Sequence, residues 1–103
     1  MDFELLTIQD CPNGTAAREL FSRAAALEGT DPALISIREI TTDEEASASG
    51  FHGSPTFTMD GADLFPSTAE PAVTCRVYRT DGRLSGLPSL ESLRQAIQSR
   101  LAA

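Results

Sequence analysis

The first 40 residues alternate strand, helix and strand patterns, and this alternation most restricts what the chain can fold into. Phe3–Gln9 is a short, nearly continuous apolar segment, which is typical of a strand buried on both faces. A helix is predicted from about residue 13 to residue 28, with an apolar stripe and Gly29 just past its last turn. Leu34–Ile40 has the pattern of a second strand. Such a unit predicts two parallel strands joined by a right-handed crossover.

Three further elements follow from local signals. Thr42 and Glu45 have the spacing of a capping box, so they predict a short helix that ends at Gly50. Thr56–Met59 alternates as a third strand does. Ser89 has the position of an N-cap for a final helix with one apolar face.

The fourth strand cannot be assigned from the sequence. Asp60 and Gly61 form a hairpin turn signal, after which Ala62–Phe65, Cys75–Arg79 or both satisfy the strand pattern. The segment between them is rich in turn-forming residues and is predicted to be a surface loop. The predicted order is β-α-β-α-β-β-α, in one domain that covers residues 1–103.

Composition excludes several classes of function. The formal charge of −7 disfavours nucleic acids and anionic membranes, because both attract positive charge. All eight basic residues are arginines, which excludes Schiff-base chemistry and a lysine general base. Two cysteines and one histidine cannot complete a tetrahedral zinc site built from Cys and His alone, and no metal or resident cofactor is expected. The chain lacks a secretory-signal pattern and an apolar run of about 20 residues, so we expect a cytoplasmic protein without a membrane span.

Two short motifs carry the candidate chemistry: Cys11–Gly14, with the sequence Cys-Pro-Asn-Gly, and Gly53–Thr56, with the sequence Gly-Ser-Pro-Thr. Cys11 is predicted at or next to the N-cap of the first helix. Unpaired N–H groups and the positive end of the helix dipole favour a thiolate there. Asp10 opposes this effect if its carboxylate points at the sulfur, so we expect mild activation.

The order and positions of these motifs resemble the thioredoxin superfamily over nearly the whole chain. Cys11–Gly14 occupies the position of the redox Cys-x-x-Cys motif, but glycine replaces the second cysteine. Gly53–Thr56 resembles the cis-proline loop, and Ser85–Ser89 resembles the loop before the last helix. The resemblance implies a three-layer α/β fold with a four-stranded mixed sheet and a cis bond before Pro55. It also implies a substrate surface formed by Pro12, Ser54, Pro55 and Gly86.

A narrower resemblance combines three runs of sequence. Cys-Pro-Asn is followed by Gly50–Thr56 and then by Cys75–Thr80, which reads Cys-Arg-x-Tyr-Arg-Thr. This succession is similar to a group of small actinobacterial thioredoxin-like proteins, some of which carry the label alkylmercury lyase-like.

The resemblance implies a thiol protein that exchanges disulfides through a single nucleophile, Cys11. The thiolate attacks a disulfide, and a second thiol releases the resulting mixed disulfide. That thiol would come from a low-molecular-weight thiol, a partner or Cys75. The backbone at residue 54 can pair with an extended peptide or a thiol-bearing ligand. The expected partners are therefore thiol- or disulfide-bearing proteins or small molecules.

Other interpretations stay open at this point. Cys11 can be an inert buried residue of a redox-inactive module that binds a partner through the surface around Cys11, Pro55 and Gly86. Soft-metal binding of the mercury type needs Cys11 and Cys75 to be adjacent. We expect Cys75 at the far end of the sheet, because the last strand runs back toward the site. Only a fold-back of residues 62–74 would bring the Cα atoms of Cys11 and Cys75 within the roughly 7 Å that a disulfide requires.

Overall fold

A computed structural model describes residues 2–67, 70–80 and 82–102 of the chain. The elements in these ranges are, in order, β1 (Phe3–Thr7), α1 (Gly14–Leu27), β2 (Ile35–Glu39), α2 (Asp43–Ser49), β3 (Thr56–Met59), β4 (Ala62–Asp63), β5 (Tyr78–Thr80), β6 (Arg83–Ser85) and α3 (Leu90–Leu101). One 3₁₀ turn, Pro32–Leu34, leads into β2.

The main sheet has four strands in the order β2-β1-β3-β4. β1 is parallel to β2 and antiparallel to β3, and β3 is antiparallel to β4. The predicted mixed α/β class and four-stranded mixed sheet are therefore confirmed, as is the parallel pairing of the first two strands. The second strand is one residue shorter at each end than the predicted Leu34–Ile40.

β1 is buried on both faces, which explains its nearly continuous apolar sequence. Phe3 and Leu5 pack into a cluster with apolar residues of β3, α1 and α3. Leu6 points to the opposite face, as the alternation of a strand requires, and packs in a second cluster with Ala46 of α2. The helices therefore cover both faces of the sheet, with α1 and α3 on one side and α2 on the other.

The helix ends agree with their sequence signals. The amide of Glu45 donates to Oγ1 of Thr42 at 3.1 Å, and the amide of Ser92 donates to Oγ of Ser89 at 3.0 Å. These bonds satisfy amides of the first turn that have no partner within the helix. Gly50 ends α2 with a φ of 63°, in the left-handed region that favours glycine.

The question of the fourth strand is resolved in favour of the first candidate. β4 has only two residues and follows a tight turn in which Asp60 and Gly61 have φ values of 52° and 82°. Tyr78–Thr80 does not join the main sheet; it pairs with Arg83–Ser85 as a separate hairpin. Within the described ranges, no helix combines the length and apolarity that crossing a membrane requires.

Candidate functional site

Cys11 lies in the turn that connects β1 to α1. Its amide donates to the carbonyl of Ile8 at 3.3 Å, and its own carbonyl accepts from the amide of Gly14 at 3.1 Å. The N-cap of α1 is Asn13, so Cys11 lies two residues before the N-cap rather than at or next to it. The first turn of α1 contains no acidic residue, and the side chain of Asn13 makes no capping bond. The half-buried thiol is thus close to the positive end of the helix dipole.

Gly14 faces Cys11 within the turn. A Cβ atom built on Gly14 would lie 3.8 Å from Cβ of Cys11. Disulfides have a mean Cβ–Cβ separation of about 3.8 Å. A second cysteine at this position would therefore lie within bonding reach of the first.

An open groove of about 290 Å³ borders Cys11, and we call it the Cys11 groove. Its walls include Gly14 and Arg18 of α1, Asp10 of the preceding turn and Ile37 of the edge strand β2. Its volume is near the lower limit of small-molecule sites, which begin at about 300 Å³. The groove thus offers a free thiol and a cationic side chain to a small ligand.

The loop before β3 lies at the same end of the sheet as Cys11. Leu6 pairs with Thr56, so the residues after β1 lie beside those before β3. The amide of Ile8 donates to Oγ of Ser54 at 3.2 Å, and the Ser54–Pro55 bond is cis. One hydrogen bond therefore joins the Cys11 turn to the cis-proline loop.

Ser54 and Pro55 are covered, although the resemblance placed both on a substrate surface. Ser54 is only 1% exposed, and Pro55 is among the fully buried side chains. The carbonyl of Pro55 accepts a hydrogen bond from the hydroxyl of Tyr78. Burial raises the pKa of the Tyr78 phenol well above its ordinary value. Neither Ser54 nor Pro55 is therefore exposed on the surface that the resemblance implied.

A segment of the same chain fills the backbone edge at Ser54. This segment, Ala72–Arg76, is called the strap below. The amide of Ser54 donates to the carbonyl of Thr74 at 2.8 Å, and the carbonyl of Ser54 accepts from the amide of Arg76 at 3.0 Å. Both backbone groups expected to pair with a ligand are thus already bonded within the protein.

Arg76 fixes the strap to the rest of the fold. Its Nη1 lies 2.8 Å from Oδ2 of Asp63, and the two side chains are only 8% and 13% exposed. The guanidinium also donates to the carbonyl of Phe65, and its Cζ lies 4.7 Å from the ring centroid of Tyr78. Gly53 allows the close approach, because it has a φ of 116° and a Cβ there would lie 2.8 Å from Cβ of Arg76.

The loop before α3 borders the Cys11 turn, as the resemblance implies. A Cβ atom on Gly86 would overlap the side-chain amide of Asn13 and lie 2.8 Å from its Cγ. Glycine therefore permits this loop to pack against the turn. Pro12, in the same turn, is exposed, so Pro12 and Gly86 remain at the rim next to Cys11.

Cys75 lies in the strap, opposite Ser54 in an isolated parallel bridge. The expectation that Cys75 lies at the far end of the sheet is therefore wrong, because Ser54 lies at the same end as the Cys11 turn. Both cysteines are free thiols, and Cys75 is exposed. A cleft of about 560 Å³ borders Cys75. His52 also borders this cleft, and its buried Nδ1 has no hydrogen-bond partner among the described residues.

Comparisons with protein-family models, with curated proteins and with solved structures found no match to this chain. Its function must therefore be argued from its own residues. In the described part of the chain, no group of three or more His, Cys, Asp or Glu side chains could hold a metal ion.

Three contributors to the site were not predicted as such. Tyr78 enters the sequence analysis only as part of the Cys-Arg-x-Tyr-Arg-Thr run, and its hydroxyl donates to the carbonyl of Pro55. Arg76 enters only as part of the same run, and the spacing from Cys11 to Arg18 is one residue too long for a Cys-x5-Arg phosphate loop. The Cys-Arg-x-Tyr-Arg-Thr run could have indicated that Arg76 and Tyr78 belong to the site. Arg18 could have been found from its spacing, because residues four apart on a helix, such as Gly14 and Arg18, lie on the same face.

Proposed function

We propose that this chain is a thioredoxin-like thiol protein in which Cys11 exchanges disulfides as a single nucleophile. The observation that carries the proposal is the separation of 3.8 Å between Cβ of Cys11 and a Cβ built on Gly14. The turn has the spacing of a dithiol motif but only one thiol. The parallel β1–β2 pair, the helices on both faces and the cis bond before Pro55 also support a thioredoxin-like fold.

The proposed reaction has two exchange steps. The Cys11 thiolate attacks one sulfur of a disulfide, so a mixed disulfide forms and one thiolate leaves. A second thiol then loses its proton and attacks the mixed disulfide, which releases Cys11 as a thiolate and forms a new disulfide. The electrons balance without a further oxidant, because one disulfide is consumed for each one formed. With Gly14 at the second position of the motif, the second thiol is a low-molecular-weight thiol, a partner's thiol or Cys75.

The surroundings of Cys11 suit these steps. The N-terminus of α1 and the guanidinium of Arg18 bring positive charge to the Cys11 groove, and the carboxylate of Asp10 in the same groove opposes it. Pro12 and Gly86 form the rim that the substrate meets. Ser54 holds the turn in place by accepting a hydrogen bond from the amide of Ile8.

A redox-inactive module that binds a partner is the second candidate. The burial of Ser54 and Pro55 favours it, because these residues are then structural and offer no contact to a substrate. In such a module the Cys11 thiol would be alkylated no faster than an ordinary cysteine of the same solvent exposure. The two candidates therefore differ in the reactivity of one thiol.

The test compares alkylation of the two thiols at neutral pH. Cys75→Ser leaves only Cys11 to react with iodoacetamide, and Cys11→Ser leaves only Cys75. We expect faster labelling of Cys11, although it is half-buried and Cys75 is exposed. We also expect Cys75→Ser to form a mixed disulfide with a small disulfide and to be released by a small thiol. A Cys11 thiol that labels more slowly than Cys75 and forms no mixed disulfide would refute the proposal and favour the binding module.

A further inference from the structure

The strap offers an inference about which disulfides can reach the site, and this inference rests on the proposed function of Cys11. We propose that the strap occupies the place of a partner strand at Ser54, and that it restricts Cys11 to low-molecular-weight disulfides. Extended polypeptides bind to sheet edges through backbone hydrogen bonds, which supply much of their affinity. At Ser54 these bonds are made within the chain.

The strap is held at this edge by several backbone hydrogen bonds. The strap runs alongside Phe51–Ser54 and makes three backbone hydrogen bonds to it. One of them joins the amide of Ala72 to the carbonyl of Phe51 at 3.3 Å, and the other two use both backbone groups of Ser54. An incoming strand would have to displace the strap before it could bond to Ser54.

The side chain of Arg76 holds the strap closed. Its ion pair with Asp63 is largely removed from solvent. Its guanidinium also donates to the carbonyl of Phe65 and to Oγ1 of Thr56. An Arg76 side chain that lost these partners would leave the strap attached mainly by its backbone bonds. Arg76 is thus a positioning residue that acts through the strap.

The Cys11 groove stays open while the strap is closed. Its walls come from β1, the following turn, α1 and β2, and none of them belongs to the strap. A small disulfide can therefore meet the sulfur without moving Ala72–Arg76. A peptide disulfide must place its longer chain beside the closed strap and gains no strand pairing at Ser54, so we expect it to react more slowly.

The experiment measures the rate of mixed-disulfide formation at Cys11 in a Cys75→Ser background. One probe is hydroxyethyl disulfide, and the other is a short extended peptide whose cysteine carries mercaptoethanol. The unmodified strap should make the peptide the slower substrate. In Arg76→Gln the peptide should react faster by up to about 30-fold, the value for a fully open strap that leaves two backbone hydrogen bonds of Ser54 to the peptide. The rate with the small disulfide should stay within about twofold, because no wall of the Cys11 groove belongs to the strap and distant changes act independently.

Arg100→Gln is the matched control, since it removes one exposed positive charge far from the strap in sequence and should leave the ratio of rates unchanged. Asp63→Asn is isosteric and replaces Arg76→Gln if that variant does not fold. Amide hydrogen exchange at Ser54 and Arg76 reports directly whether the strap has opened.

Each outcome has a defined meaning. Equal rates for the two probes with the strap closed would overturn the inference. Unchanged selectivity in a variant whose strap amides exchange rapidly would overturn it as well, and amides that stay protected in both variants would overturn the anchoring role of Arg76. Failure of Cys11 to react with either probe would instead overturn the proposed function.

Discussion

The substitution Gly14→Cys tests the geometry on which the proposed function depends. It places a second thiol at the position where a Cβ would lie 3.8 Å from Cβ of Cys11. In a Cys75→Ser background, we expect the two thiols to form an intramolecular disulfide on mild oxidation. The turn requires no rearrangement, since the Cβ separation already equals the mean value for disulfides of about 3.8 Å.

The size of the effect follows from the short loop that the bond closes. Residues 11 to 14 form a loop of four residues, for which the chain-entropy relation predicts a stabilisation of about 2 kcal/mol. For a domain of this size, this corresponds to an increase in melting temperature of roughly 8 to 16 °C. The same 2 kcal/mol makes the disulfide more resistant to reduction by about 40 mV than in the unfolded chain.

Thermal unfolding of oxidised and reduced Gly14→Cys measures this difference directly. Gly14→Ser serves as the control, because it makes the same change at the backbone and supplies no bonding sulfur. Equilibration with a dithiol redox buffer then gives the reduction potential. An oxidised form that fails to appear, or that melts below the reduced form, would show that positions 11 and 14 do not have dithiol geometry.

Three further predictions concern the surroundings of the site. Asp63→Asn and Arg76→Met should each lower the free energy of unfolding by about 3 kcal/mol, because each breaks a buried ion pair. In urea denaturation the double variant should lose about as much as either single one, and additive losses would argue against the pairing. Tyr78, the only tyrosine, should form phenolate at a pH above the ordinary 10.0, since burial raises its pKa. The stabilisation by the protonated phenol of Tyr78 is complete below pH 10.0 and is lost as the pH rises further. Phenolate absorbance that appears near pH 10.0 in the folded protein would contradict this prediction. Gly86→Ala should cost about 1 to 3 kcal/mol through overlap with Asn13, and Asn13→Ala should restore most of this loss if the overlap is real.

Local signals were sufficient for most of the elements. The continuous apolar run of β1 indicated a strand buried on both faces, and Leu5 and Leu6 do pack on opposite faces. The capping residues Thr42 and Ser89 marked the helix starts because their hydroxyls bond to amides three residues on. Each of these signals acts over a few residues, so it can be read without knowledge of the fold.

The strap could not be predicted because its contacts are distant in sequence. Its pairing with Ser54 joins residues that are about 20 positions apart, across a segment with no regular apolar period. The partner of Arg76 is Asp63, yet the chain has 15 acidic residues and no rule of spacing selects one of them. The position of Cys75 depends on both of these contacts, which is why it stayed open.

Ser54 connects the three parts of the molecule on which the proposed chemistry depends. Its hydroxyl accepts from Ile8 in the turn that carries Cys11, and its backbone groups bond to the strap. The next residue, Pro55, accepts from Tyr78 of the hairpin. Ser54 is therefore the buried residue that joins the Cys11 turn to the strap, whereas the Cys11 groove itself has no wall from the strap. Replacing Ser54 by alanine would remove the hydrogen bond to Ile8 and leave the backbone hydrogen bonds of the strap intact. This variant therefore tests how the Cys11 turn is positioned without opening the strap.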